Sequence, residues 1–176
     1  EIVDLLSDLN KIKPVWIELG LQTSNENTSK NFNRGYSNDI YIKAVNELKK
    51  HNINVITHMI VGLPGECFND YLNTINFICQ NGSDGVKIHL LYVLKGTKLA
   101  EEYESGKFKC LEKDEYIDTV CELIRHIPKN IVIHRLTGDG DKKITIAPLW
   151  SLNKKDVLNS LNKKIKLNHI RQGDAL

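Results

Sequence analysis

The sequence predicts an α/β fold in which parallel strands are covered by helices, and three observations predict it. Short runs of β-branched and apolar residues alternate with stretches of helical periodicity along most of the chain. Several of those runs are apolar at consecutive positions, the mark of strands with both faces covered. The run "INVITHMIVG" then stops on Gly62, Leu63, Pro64 and Gly65, a strand-to-helix joint built from residues that permit or fix unusual backbone angles. The pattern leaves barrel and open sheet both possible, and in either one ligands collect at the carboxyl ends of the strands.

The elements follow in order. "EIVDLLSDLNKIK" places Ile2, Leu5, Leu6 and Leu9 at helical spacing; the chain starts there at Glu1 without a Met, which suggests an upstream region. "PVWIELGLQT" (14–23) is strand-like, and "SNDIYIKAVNELKKHN" (37–52) is a helix with Ser37 at its N-cap and Ile40, Ala44, Val45 and Leu48 on one face. The strand at 53–62 leads through the glycine turn into "FNDYLNTINFICQNG", a helix closed by Gly82, with Glu66 and Asp70 suited by charge to its start. "GVKIHLLYVL" is a third strand, followed by helices in "GTKLAEEYESGK" and "KDEYIDTVCELIRHIP". "NIVIHRLTG" (130–138) is a fourth strand, and a helix begins near Lys154. The division expected is a main unit over 1–150 and a helical extension over 151–176.

Composition excludes more than it identifies. With 24 Lys and Arg against 22 Asp and Glu, the net charge of +2 says little about partners. No apolar run approaches the roughly 20 residues of a membrane helix, and no leader is visible, so a cytoplasmic location is expected. Cys67, Cys79, Cys110 and Cys121 fall at no zinc or cluster spacing, which reads as four reduced, mostly buried thiols and no metal site.

Alternation along the strands assigns faces. Glu18, Gly20 and Gln22 share one face of the first strand, His58, Ile60 and Gly62 one face of the second, and Lys87, His89 and Leu91 one face of the third. Polar residues and glycines therefore meet near the carboxyl ends. A carboxylate such as Glu18 on an interior face requires a partner, for which Lys87 is the candidate.

On these residues the chain resembles a known family. "IELGLQT", then "NRGY", "HMIVGLPGE" and "LLYVLKGTKLAE", in that order and spacing, look like the second half of a radical S-adenosylmethionine (SAM) core. The branch is the one shared by oxygen-independent coproporphyrinogen oxidase and elongator-type enzymes. "HRLTGDGDKKITIAPLW" is similar to a bacterial subfamily of that branch labelled Fe-S oxidoreductase. The resemblance implies a partial TIM-like barrel, SAM across its carboxyl-end mouth, and a 4Fe-4S cluster that reduces SAM to a 5′-deoxyadenosyl radical. It places Gln22 on SAM, Arg34 on the methionine carboxylate, for which a planar guanidinium is well suited, and the Gly62–Pro64 turn beside the adenosine, where a side chain would not fit. Glu18 and His58 join this cofactor-binding set; His89, with His134, Arg135 and Asp139 of a mouth loop, is the candidate substrate-binding set.

Two departures qualify that picture. The family's CxxxCxxC cluster loop is absent, so this chain alone should neither hold the cluster nor react. His58 stands where relatives often carry an aspartate. The residues also permit other roles. Gln22 could satisfy loop amides, Arg34 could be a surface residue, His58 and His89 could be imidazoles satisfied by neighbouring backbone groups, the glycine turn could be punctuation, and 134–143 a surface loop. The C-terminal helix reads as amphipathic, with Leu152, Val157, Leu158, Leu161 and Ile165 on one stripe and lysines opposite; RNA contact is its sharper reading, because elongator-type relatives act on transfer RNA. A non-catalytic α/β ligand- or RNA-binding module is the alternative to an enzyme. An unpaired edge on the strand at 14–22 would pair with a second copy, be covered by the first helix, or aggregate.

Overall fold

The structure, a computed structural model, describes residues 1–176. Helix α1 (Ile2–Ile12) leads to β1 (Trp16–Gln22), followed by α2 (Glu26–Asn31), α3 (Asn38–Lys50), β2 (Asn54–Val61), α4 (Phe68–Gln80) and β3 (Gly85–Leu90). The chain continues through β4 (Val93–Leu94), α5 (Lys98–Glu104), α6 (Lys113–Arg125), β5 (Val132–Arg135), β6 (Thr145–Ala147), a 3-10 turn (Leu149–Leu152) and α7 (Lys154–Leu167). Strands β1, β2, β3 and β5 lie side by side in that order, every pair parallel, as in one wall of a βα barrel.

The sheet has one apolar and one polar face. Val55, Thr57, Met59 and Val61 of β2 and Val86, Ile88 and Leu90 of β3 are buried on the back face. Against them pack Tyr41, Val45 and Leu48 of α3, Ile75 and Ile78 of α4, and Tyr116, Val120 and Leu123 of α6, all in one core cluster. Each such aliphatic side chain contributes about 1.5–3 kcal/mol by leaving water. The hydroxyls in this layer are satisfied, Tyr41 to Thr57 at 2.7 Å and Thr57 to Ser83 at 2.9 Å. Val157 and Leu161 of α7 join the same cluster, so the amphipathic stripe predicted there docks on the body.

Local chemistry sets the helix ends. Ser37 occupies the N-cap of α3, but its hydroxyl caps nothing; Glu26 instead accepts the Asn38 backbone N–H at 2.6 Å. Asp70 accepts the Cys67 N–H at 2.9 Å and closes the first turn of α4, while Gly82, at φ +85°, follows its C-cap as expected. Glu66 does not serve that helix start. It turns back to the end of β1, where Thr23, the next residue, donates to it at 2.5 Å.

The structure corrects several expectations. The strands are not apolar on both faces, because helices cover only one. The third strand ends at Leu90; Val93 and Leu94 form a separate strand that pairs antiparallel with β6, an element the sequence pattern did not suggest. The fourth strand spans only four residues, Val132–Arg135. Cys67 is exposed rather than buried. Helix α1 keeps Ile2, Leu5, Leu9 and Ile12 exposed and buries no residue completely, so it leaves its own apolar stripe uncovered.

Candidate functional site

The polar front face of the sheet corresponds to the barrel interior. Glu18, His58 and Lys87 project from it on three adjacent strands; His58 is level with Lys87, and Glu18, in register with Ile56, lies two residues nearer the strand starts. Glu18 accepts from Lys87 Nζ at 2.5 Å and pairs through its other oxygen with His58 Nε2 at 2.7 Å. The Lys87 hydrogen bond, with that of His58, holds the Glu18 carboxyl below the usual carboxylate range against the opposing effect of burial. The partner expected for Glu18 is thus present.

His58 stacks on His89, ring centroids 5.0 Å apart and planes 19° from parallel. Burial, and then the charges of His58, Arg135 and Lys87, push His89 down to about 4, which makes it neutral at physiological pH. Its Nε2 is buried without a partner. Neither imidazole is therefore satisfied by backbone groups. Above the pair, Gln22, Phe32, Ile60 and Tyr92 complete a cavity of about 270 Å³ at the carboxyl ends of β1, β2 and β3.

Gln22 is the most unusual residue of this cavity. It ends β1 at φ +62°, a left-handed conformation that costs a non-glycine residue about 1–2 kcal/mol, and the register with β2 slips between Gly20 and Gln22. Its amide folds back over Gly20, where a Cβ would lie 2.4 Å from Nε2. That amide makes no hydrogen bond within the protein, so it satisfies no loop amide.

Arg34 is where sequence and structure differ most. Its side chain is only 3% exposed. Nε donates to Tyr36 O at 2.8 Å, Nη1 to Leu21 O at 2.9 Å and Thr23 O at 2.8 Å, and Nη2 to Asn38 Oδ1 at 2.9 Å with Glu26 3.6 Å away. Every face of the guanidinium is committed to the protein. The fork that would clasp a ligand carboxylate instead holds the β1–α2 loop, and Arg34 is not a surface residue either.

The turn after β2 has a backbone cause of its own. Gly62 adopts φ +96° and Gly65 φ +82°. A Cβ at Gly62 would meet Leu111 and Leu91 no closer than 3.5 Å, so within the protein it is the backbone angle that demands glycine there. Pro64 borders a separate shallow hollow of about 360 Å³ with Phe32, Lys98 and Leu99.

The four mouth candidates separate. Arg135 pairs in register with Lys87, while the bulge between Val86 and Lys87 brings His134 onto the same face. His134 lies over Gly85 and meets the Trp16 ring edge-on at 5.4 Å. Trp16 and Gly85 begin their strands, so His134 sits at the floor of the sheet and not at its mouth. Asp139 is exposed and held by Lys154 at 2.5 Å. Arg135 and His89 remain together near the mouth. Sequence reasoning missed Tyr92 and Thr137, whose buried hydroxyls lack partners there; the signal was the pair Gly138 and Gly140, whose missing side chains let the loop lie against the Tyr92 ring.

The cysteines do not converge. All are free, no group of three or more His, Cys, Asp or Glu is placed to hold a metal ion, and burial pushes the thiols of Cys79, Cys110 and Cys121 up to about 11. The residues of this chain do not fit a 4Fe-4S cluster. They do fit an organic ligand at the mouth, where a strained, unpaired amide faces a cavity. No helix is long and apolar enough to cross a membrane.

Comparison with known proteins agrees with this geometry. Residues 1–78 match the family described as Radical SAM superfamily, and residues 83–166 match the Radical SAM C-terminal domain. The YtqA protein of Bacillus subtilis is 40% identical over 173 residues, which are 98% of this chain and 54% of that protein. The tRNA uridine(34) acetyltransferase of Methanocaldococcus infernus is 28% identical over 137 residues, 76% of this chain and 26% of that one. The structure of an N-terminally truncated archaeal Elp3 from the same organism superposes with a TM-score of 0.82 at 24% identity, covering 96% of this chain and 40% of that one, which shows the shared fold. The chain spans about half the length of its curated relative YtqA. With matches to both halves of the same core and an α/β wall of the matching shape, this chain belongs to the radical SAM superfamily.

Proposed function

We propose that the chain supplies the SAM-positioning wall of an enzyme that cleaves SAM reductively and abstracts hydrogen from its substrate. SAM, bound together with a 4Fe-4S cluster held outside these residues, supplies the 5′-deoxyadenosyl radical. The chain's own task is to bind and orient. The observation that carries the reading is Gln22, an amide held at positive φ, unpaired, and aimed over Gly20 into the mouth cavity. Strain kept at a ligand-facing residue marks a preorganised site. In this reading Gln22 hydrogen-bonds SAM, and His58, oriented by Glu18, presents one fixed face of its ring beside it. Arg34 acts through Gln22 and not on the cofactor.

The experiment is anaerobic reconstitution of the full-length protein with iron, sulfide, SAM and dithionite, followed by chromatography for 5′-deoxyadenosine. The nucleoside should form with the wild-type protein and fall by roughly tenfold or more with Gln22→Ala, the loss of one well-placed hydrogen bond. No nucleoside from a protein with an intact cluster would favour the alternative, a non-catalytic binding module.

As substrate class we propose transfer RNA. The relative named tRNA uridine(34) acetyltransferase aligns with 76% of this chain at 28% identity, and Lys155, Lys163 and Lys166 on α7 are exposed without ion pairs. Filter binding of bulk transfer RNA should weaken with rising salt, and removing these three lysines should lower the salt slope by about 3.

A further inference from the structure

Resting on the radical SAM reading, we infer that Arg135, His89, Tyr92 and Thr137 form a subsite for an oxyanion, a carboxylate or phosphate group carried by the substrate. The reason is a half-buried cation with no counter-charge beside buried polar atoms with no partner. Arg135 ends β5 opposite Lys87, is half-buried, and makes no hydrogen bond or ion pair within the protein. The nearby countercharges are taken. Glu18 answers Lys87 at 2.5 Å, and Asp139, whose carboxyl is held low first by Lys154 and only weakly by Arg135, is bound to Lys154 at 2.5 Å.

Beside this guanidinium, His89 Nε2, the Tyr92 hydroxyl and Thr137 Oγ1 are buried with no partner. Thr137 lies close enough to Tyr92 to lower its pKa against the larger rise from burial, yet without completing a hydrogen bond. Gly138 holds the loop against them. A Cβ there would stand 2.9 Å from Tyr92 Cε2, 3.1 Å from its hydroxyl and 3.4 Å from His89 Nδ1. Buried polar groups left without partners are costly, and natural proteins leave few of them. An oxyanion offers lone pairs to several at once, and the planar fork of arginine matches it in two contacts. A neutral ligand would leave the charge of Arg135 unanswered. Arg135, on β5, lies three strands from Gln22 on β1, about 14 Å across the sheet, while His89 and Tyr92 line the cavity that Gln22 also borders.

The test uses the full-length protein without cluster or SAM, so that it does not depend on radical chemistry. Inorganic phosphate and, separately, acetate are titrated at constant ionic strength against a chloride control, with the Arg135 Nε–H and His89 ring resonances followed by NMR. We expect saturable shifts at both residues with one of the two anions, and that anion identifies the group. Arg135→Gln should weaken binding by roughly tenfold or more, and Arg135→Lys, which keeps the charge and loses the fork, by less. Resonances of α3, far from the site, report whether either variant is folded. Shifts confined to exposed lysines, or equal affinity in Arg135→Gln, would overturn the assignment. Displacement of the anion from Arg135 by SAM would also overturn it, because the site would then serve the methionine carboxylate. Failure to form 5′-deoxyadenosine in the reconstitution above would remove the radical reading and leave these titrations intact.

Discussion

One nitrogen of Arg34, Nη1, donates to the carbonyls of Leu21 and Thr23, the two residues that flank Gln22. The strained residue is thereby gripped from both sides, while Tyr36, placed by the same loop, donates its hydroxyl to Gly20 O. Arg34→Ala is expected to destabilise the fold by about 3 kcal/mol, because it strips charged donors from buried carbonyls. Arg34→Lys should recover less than half, since an ammonium cannot span both carbonyls and Asn38. Urea denaturation reads the difference. A residue that only met the SAM carboxylate would instead lose affinity and keep stability.

The two glycines on the path to the mouth are expected to behave differently. Gly62→Ala must hold an L side chain at φ +96° and should cost about 1–2 kcal/mol, whatever is bound. Gly20→Ala meets the flexible end of Gln22 and little else, so it should leave thermal stability nearly unchanged. It should nonetheless displace the Gln22 amide and lower 5′-deoxyadenosine formation in the reconstituted full-length protein. Calorimetry and nucleoside yield, measured on both variants, separate backbone strain from side-chain displacement.

Acid should weaken the fold through His89. Its folded pKa, about 4, lies below the value near 6.5 of an unfolded histidine. Between those values the unfolded chain binds a proton that the folded chain does not, so stability is fully present above about 6.5 and falls as pH drops toward 4. His89→Gln should flatten the pH dependence of the urea midpoint over that window. An NMR titration of the wild-type ring with its midpoint near 6.5 would contradict the burial that the structure assigns to it.

The edge of β1 away from β2 carries no strand, and the apolar stripe of α1 is exposed. The 176-residue chain alone is therefore expected to associate as its concentration rises, through strand edge, stripe or both. Sedimentation velocity across a hundredfold dilution checks this, and Leu5→Lys together with Leu9→Lys should shift the distribution toward monomer.

Legibility in the sequence followed the range of the interactions. Strands β1 and β2 and helices α3, α4 and α7 announced themselves because local periodicity matches their burial. Glu18, His58 and Lys87 could be placed on one face because strand alternation fixes side-chain direction once parallel pairing is assumed. The role of Arg34 could not be read, because a motif records residue and spacing but not the carbonyls of Leu21 and Thr23 that consume its donors. His134 was misplaced for a similar reason: the β3–β5 bulge that turns it toward Trp16 leaves no mark in composition. The β4–β6 pair is two and three residues long, too short for any periodicity to show.

The division of the sheet into an apolar back and a polar front has a consequence for how the protein can change. Substitutions at Val55, Met59, Val86 or Ile88 test packing, and those at Gln22, His58, His89 or Arg135 test the proposed recognition, with a strand's thickness between the two groups. Effects at sites more than about 7–10 Å apart that share no partner add nearly independently. Variation on the front can therefore accumulate without eroding the helix-covered side, and one wall can be refitted to a new substrate while its foldability is inherited unchanged.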